Sequence, residues 1–332
     1  MPHDGVLLIA FGGPTPGGCN RIQANGDPCA GPEHGRACPE GCATEAHCFV
    51  QGILGKSPAR AGRVDEVAKH YHAIGGYSPF NELTFRQGRN LMLALRKLGK
   101  PLPVLSGMRH WGPSLKDVIR MLSEKGHRKM IGIIMAPHQS KVSWDWYLST
   151  VDEAVKGLPE NARIQFDYLE PWWKDAGFVK AVAEVIRGDL AKWPEARARE
   201  AKIIFSAHSI PSAIAKAGPY SAQFEETATL VAKELNWKNW SVAYQSSASD
   251  ASQPWTSPDI NDAIREAKKA GVADVLVSPI GFLVDHVEVL YDLDVEAKKT
   301  AAECGVGYVR SGTVGSHERF IGMLAERVVA RC

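Results

Sequence analysis

The 332 residues are 45% apolar and 23% charged, with 39 lysines and arginines set against 37 aspartates and glutamates. A chain of this size buries a large core and can divide into two domains, and its even charge, with no block of one sign, argues against disorder and against a nucleic-acid partner. Its longest apolar runs, such as Val6 to Phe11 and Met130 to Pro137, fall well short of the roughly 20 residues of a membrane-spanning helix, and Met1-Pro2-His3-Asp4 lacks the basic start of an export signal.

Gly5 to Phe11 reads as a buried strand closed by the tight loop Gly12-Gly13-Pro14. From Pro14 to about Gly55 Gly, Pro and Cys dominate, no helical or alternating period holds for a full turn, and a loop of that length needs a reason to exist. Helical spacing returns over Ala61 to His72 and, after the break at Gly75-Gly76, over about Asn81 to Leu98. Pro103 to Met108 resembles a strand, Ser114 caps a helix from Leu115 to Lys125, Gly126 stops it, and Lys129 to Ala136 is a buried strand. The loop Pro137-His138-Gln139-Ser140 leads to a helix from about Trp144 to Val155. Farther on, Arg163 to Leu169, Ile203 to Ala207 and Trp240 to Gln245 read as strands with helices between. Asp259 caps a helix from Ile260 to Lys269, Asp274 to Pro279 is a strand, and an acidic helix runs from about His286 to Lys299.

The stretches "SLKDVIRMLSEKGHRKMIGIIMAPHQS" and "DINDAIREAKKAGVADVLVSPIGFLVD" share one order of cap, amphipathic helix, glycine, buried strand, proline and polar loop. Such alternation predicts an α/β fold with parallel sheets covered on both faces. We expect two similar halves, residues 1–150 with the Cys-rich insertion at about 15–55, and residues 151–315. A terminal helix over about 316–332 is expected to pack back on the first half.

In open α/β sheets the ligand crevice lies beyond the carboxyl ends of the strands, so the loops after buried runs carry the candidate residues. His208 follows Lys202 to Ala207 directly, where an imidazole takes a proton or binds a metal. A lone histidine there is more often explained by a hydrogen bond within its own loop. After the Asp274 to Pro279 strand come Asp285, His286 and Glu288, and Glu288, Asp292 and Glu296 recur every four residues on one helical face. Carboxylates at the inner end of such a stripe share a metal or take protons, while the outer ones draw cations from solvent. A solvated face offset by Lys298 and Lys299 is the plain alternative. His138, after the comparable strand of the first half, reads as structural.

Five of seven cysteines, Cys19, Cys29, Cys38, Cys42 and Cys48, lie within 30 residues in the spacing C-x9-C-x8-C-x3-C-x5-C. Without an export signal that density favours metal, zinc or iron-sulfur, over disulfides, although the spacing is neither a C-x2-C zinc pair nor a ferredoxin run.

Six segments in order, "LLIAFGGP", "HYHAIGGYSPFNELTFRQ", "GMRHWGP", "FSAHSIP", "YQSSASDASQPWTSPDI" and "SPIGFLVDHVEVLYDLDVEA", resemble those of the ferrochelatases across nearly the whole chain. The resemblance implies two Rossmann-like domains enclosing a porphyrin cleft, with His208 and Glu288 as the catalytic pair that meets Fe(II) and takes the pyrrole protons. It implies that Phe11, Arg109, His110, Tyr220, Trp255 and Phe282 line or flank the porphyrin, Arg109 pairing with a propionate. Phe11 stands where some members carry a tyrosine, so it offers iron no oxygen, and His110 also stands where tyrosine is frequent. Asp285, His286, Asp292 and Glu296 would supply an acidic path or support. Some ferrochelatases hold a 2Fe-2S cluster in an insertion of about this size. On that likeness Cys29, Cys38, Cys42 and Cys48, the tightest four, are the expected ligands, with Cys19 spare, structural zinc as the alternative and a stabilising role for the cluster.

Protoporphyrin IX is the favoured substrate at this stage, with coproporphyrin III open. A cobalt or nickel tetrapyrrole chelatase and a non-catalytic porphyrin or haem carrier are the rival readings. The expected location is the cytoplasm, with peripheral contact at the inner membrane left open, and the sequence is silent on oligomeric state.

Overall fold

The computed structural model describes residues 2–15, 45–54, 61–248 and 253–332. In chain order the first part holds β1 (Gly5–Ala10), α1 (Glu45–Leu54), α2 (Ala61–Ala73), α3 (Phe80–Lys97), β2 (Val104–Met108), α4 (Leu115–Glu124), β3 (Lys129–Ile134), α5 (Trp146–Lys156) and β4 (Gln165–Tyr168). The rest holds α6 (Ala176–Leu190), α7 (Glu195–Glu200), β5 (Lys202–His208), α8 (Ser212–Ala217), α9 (Tyr220–Leu235), β6 (Trp240–Gln245), α10 (Ile260–Lys269) and β7 (Asp274–Ser278). It closes with α11 (Val287–Leu290), α12 (Lys298–Glu303), β8 (Gly307–Arg310) and α13 (Glu318–Arg331).

The paired stretches that suggested repetition form for the same local reasons. Ser114 Oγ accepts from Asp117 N–H at 3.1 Å to start α4, which buries Leu115, Val118, Ile119 and Leu122 on one face. Asp259 accepts from Asn261 N–H at 2.8 Å to start α10, which buries Ile260, Ala263, Ile264 and Ala267. Both helices then deliver a largely apolar, buried strand to the inside of a sheet.

All strand pairings are parallel, in the order β2-β1-β3-β4 in one sheet and β6-β5-β7-β8 in the other. Counted within its own half, each sheet therefore has the same order. The chain reverses direction across the sheet between β1 and β3 and again between β5 and β7, which leaves a crevice at the carboxyl ends of those strands. A shared apolar core ties the halves together, with Val6 and Leu8 of β1, Leu91 of α3, Phe178 of α6 and Phe320 of α13 all wholly buried. Each such side chain stabilises the fold by about 1.5–3 kcal/mol.

Three readings of the sequence need correction, and one is extended. The Arg163 to Leu169 strand was assigned to the second half, yet β4 pairs with β3 in the first sheet, because helix-strand alternation alone does not say which sheet an edge strand joins. The loop read from Pro14 to Gly55 contains α1, whose buried Ala46, Phe49 and Val50 are too few to make a period visible beside so many glycines. The terminal helix α13 packs against α3 of the first half and also against α6. Finally, the helix expected from Trp144 is entered through a π-turn at Lys141–Asp145, and the one expected from His286 is interrupted by another at Asp292–Ala297, a widening that residue spacing does not reveal. Among the described residues no helix is long and apolar enough to cross a membrane.

Candidate active site

His208 is the last residue of β5, and Glu288 sits in the first turn of α11, just after β7. These strands are hydrogen-bonded neighbours at the reversal of the second sheet. The loop after β7 folds tightly over the end of β5: a Cβ on Gly281 would lie 2.7 Å from Ala207 Cα, so glycine is required for that approach. It brings Glu288 Oε1 to 3.4 Å from His208 Nε2, with about a third of each side chain still open.

Supporting contacts fix both groups. His208 Nδ1 faces the Ser209 carbonyl, and Tyr220 donates its hydroxyl to the His208 carbonyl at 2.8 Å. Both imidazole nitrogens thus meet acceptors, which favours imidazolium. Burial pulls the His208 pKa down, but the Glu288 carboxylate and the Ser209 carbonyl outweigh it and hold it at about 9. Burial pushes Glu288 up, and the charges of His208, His286 and Arg63 more than reverse this to about 2. The resting pair is an ion pair. Gln245 donates to the Glu288 carbonyl and accepts from Ser206 Oγ at 2.9 Å, tying α11 to the sheet beneath.

The acidic stripe is graded. Glu296 is exposed and Asp292 only 7% exposed. Burial, then Glu288 and Glu296, raise Asp292 to about 8 against the opposing hydrogen bond from Ser246 Oγ, so it is largely protonated at neutral pH. Asp285 leaves the stripe altogether, because Arg310 grips it at 3.2 Å through two nitrogens and bridges it to Asp294. His286 caps α11 by accepting from Glu288 N–H at 3.3 Å, and burial lowers its pKa. His286 therefore supports Glu288, while Asp285 is held by Arg310.

Phe282 lies with its ring centre 6.5 Å from His208 and 4.7 Å from His286. Across the crevice, Arg109 and His110 donate their backbone N–H groups to the Ala10 and Phe11 carbonyls, carrying the pairing of β1 and β2 past the strand ends. Phe11 packs on His110 at 4.6 Å, and the Arg109 guanidinium lies 4.6 Å over the exposed Trp146 ring. Charge and packing join the two sides: Glu288 acts on Tyr71 and Tyr147 of the first half, and Val287 shares an apolar cluster with Phe49 and Trp111.

Tyr220 is buried beneath His208 and serves as its brace, away from the crevice surface. Trp255 is half-buried on the loop after β6, its indole N–H enclosed with no partner among the described residues. His138 is buried, with Nε2 3.0 Å from Thr227 Oγ1. Sequence reading passed over Trp146, Tyr147 and Gln245. The aromatic run Trp144-Asp145-Trp146-Tyr147 after the Pro137 loop was the one signal available for the first two.

Cys48 is buried in α1, whereas Cys19, Cys29, Cys38 and Cys42 lie outside the described residues. Among the described residues no three His, Cys, Asp or Glu side chains are gathered to hold a metal on their own. A carboxylate and an imidazole can meet an incoming cation and leave its remaining positions to a second ligand.

A family model described as Ferrochelatase matches residues 42–332. A ferrochelatase of Deinococcus radiodurans is 36% identical over 82% of this chain and 90% of its own length. The coproporphyrin III ferrochelatase of Leifsonia xyli is 34% identical over 100% of this chain and 84% of its own. Among solved structures, SirB from Bacillus subtilis with Fe3+ superposes with a TM-score of 0.53 at 14% identity, over 74% of this chain and 89% of that one, a likeness of fold.

Proposed function

From the premise that this chain belongs to the ferrochelatase family, we propose that it inserts ferrous iron into a porphyrin bound between its two sheets, with His208 and Glu288 at the reacting centre. The observation that carries this reading is the 3.4 Å pair at the carboxyl ends of β5 and β7, facing the aromatic and cationic side chains of the first half. Insertion releases two pyrrole protons, and iron enters and leaves as Fe(II). The macrocycle supplies four nitrogens, so the protein needs only a transient ligand and a base. Iron displaces the His208 proton to solvent; as the macrocycle takes the metal, the released imidazole accepts one pyrrole proton and restores the ion pair, and the second passes by way of Glu288 to solvent. Arg109 pairs with a propionate, and Phe11 and Phe282 bear on the flat ring.

Coproporphyrin III is the substrate we infer, ahead of the protoporphyrin IX favoured from sequence. Relatives aligned along 99–100% of the chain, from Leifsonia xyli and Streptomyces griseus, carry that substrate in their names, which supports this order. Anaerobic assays with both porphyrins test it. Metalloporphyrin absorbance appearing faster with coproporphyrin III is the expected result. Tight porphyrin binding without metallation favours a carrier, and faster cobalt or nickel insertion favours a different chelatase.

Cys29, Cys38, Cys42 and Cys48 are proposed to hold a 2Fe-2S cluster. Cys48, buried in α1, is the described member of the set, and a thiolate there would need a metal to neutralise it. The cluster would supply four iron-thiolate bonds that staple the insertion to α1. Brown protein with visible absorbance, lost in Cys42→Ser, is expected; colourless protein containing zinc would contradict it.

A further inference from the structure

The acidic helix changes gauge at Tyr291. Its carbonyl accepts from Val295 N–H and from Glu296 N–H, each at 3.0 Å, the fork at which an α-helical repeat widens into the π-turn. If that widened turn relaxed to ordinary helix, the register would slip by one residue and rotate the side chains beyond it by about 100°. In a regular helix Glu296 would stand about 80° round from Glu288, against about 20° with the extra residue in the turn, so the line of Glu288, Asp292 and Glu296 is straightest while the fork is held.

The first half supplies the hold. His70 of α2 stacks on Tyr291, with ring centres 3.9 Å apart and planes 14° from parallel. Val64 and Tyr71 of α2 share an apolar cluster with Val287, and Tyr291 packs against that cluster. The Arg63 charge reaches Glu288 and Glu296, and the Glu66 charge reaches Tyr291 and Glu296. Helix α2 therefore lies along the π-turn, from the other side of the crevice.

We propose that His70 is a positioning residue for ferrous iron: stacked on Tyr291, it fixes the fork of the π-turn and so aligns Asp292 and Glu296 with Glu288. The role is ring against ring and touches no reacting atom. It rests on the iron-insertion reading above.

Initial rates of the full-length protein, measured anaerobically against iron and separately against porphyrin, test it. His70→Ala and Tyr291→Leu each raise the KM for iron about three- to tenfold, the range that loss of an aromatic pair supports. Porphyrin KM and kcat stay within about twofold. His70→Phe and Tyr291→Phe keep the stack and keep the wild-type iron KM, and combining His70→Ala with Tyr291→Leu adds nothing to either alone. Should His70→Ala fail to fold, His70→Gln takes its place with the same expected rise. An unchanged iron KM without the ring, a defective His70→Phe, or effects that multiply in the double variant overturns the proposal. Wild-type protein that metallates no porphyrin instead overturns the functional reading, so the two failures are distinct.

Discussion

The two halves share one strand order, and each places a histidine beyond the carboxyl end of a central strand, yet the two imidazoles are opposites. His138, beyond β3, is 2% exposed, its Nε2 meets a threonine hydroxyl while Tyr220 and Phe224 pack on the ring, and burial drives its pKa to about 3. His208, at the end of β5, meets the same downward pull from burial, but the carboxylate at 3.4 Å reverses it to about 9. Burial by itself makes a neutral, structural histidine. A half-buried carboxylate beside it makes one that holds a proton and can exchange it for a metal ion.

The largest effect should come from removing the second imidazole. His208→Ala should lower iron insertion about 100- to 10,000-fold in anaerobic assays while circular dichroism and porphyrin binding stay near wild type. Glu288→Gln removes the charge that distinguishes the two histidines. The His208 resonance should then titrate well below 9, toward or under the ordinary 6.5, and turnover should drop about 100-fold; a midpoint still near 9 by NMR would mean that Glu288 is not the cause.

A third effect follows from the resting ion pair. Iron must displace the His208 proton, so affinity for Fe(II) should rise with pH, by up to about tenfold per unit below 9. Asp292, at about 8, adds to the rise in the same direction. Anaerobic titrations between pH 6 and 8.5 that show flat affinity would separate the pair from metal binding. His138→Ala should do the reverse of the His208 change, with a loss of roughly 1–3 kcal/mol in denaturant unfolding and kcat of the folded enzyme within about twofold. Smallest of all, Glu296→Gln should raise the iron KM less than about threefold in low salt and not at all in high salt, since an exposed carboxylate acts through screened attraction.

Much of this was legible in the residues. Capped helices ending in glycine and followed by apolar runs gave α4, β3, α10 and β7 almost to the residue, and their repetition anticipated the two sheets. His208 and Glu288 stood out because a polar residue directly after a buried strand faces the crevice. What stayed hidden depends on contacts distant in sequence. No local pattern says that Arg310 withdraws Asp285 from the acidic stripe, that Tyr220 turns inward to brace His208, or that His70 crosses from α2 to Tyr291. The π-turns were equally invisible, because the four-residue spacing of Glu288, Asp292 and Glu296 reads as one face of a regular helix and does not mark the widened turn.

The most direct test of the central claim is a double-mutant cycle on iron insertion, comparing His208→Ala, Glu288→Ala and the combined variant under anaerobic conditions. If the two side chains act as one unit, the combined variant turns over no more slowly than the slower single variant. Losses that multiply, or appreciable turnover with both side chains gone, would contradict it.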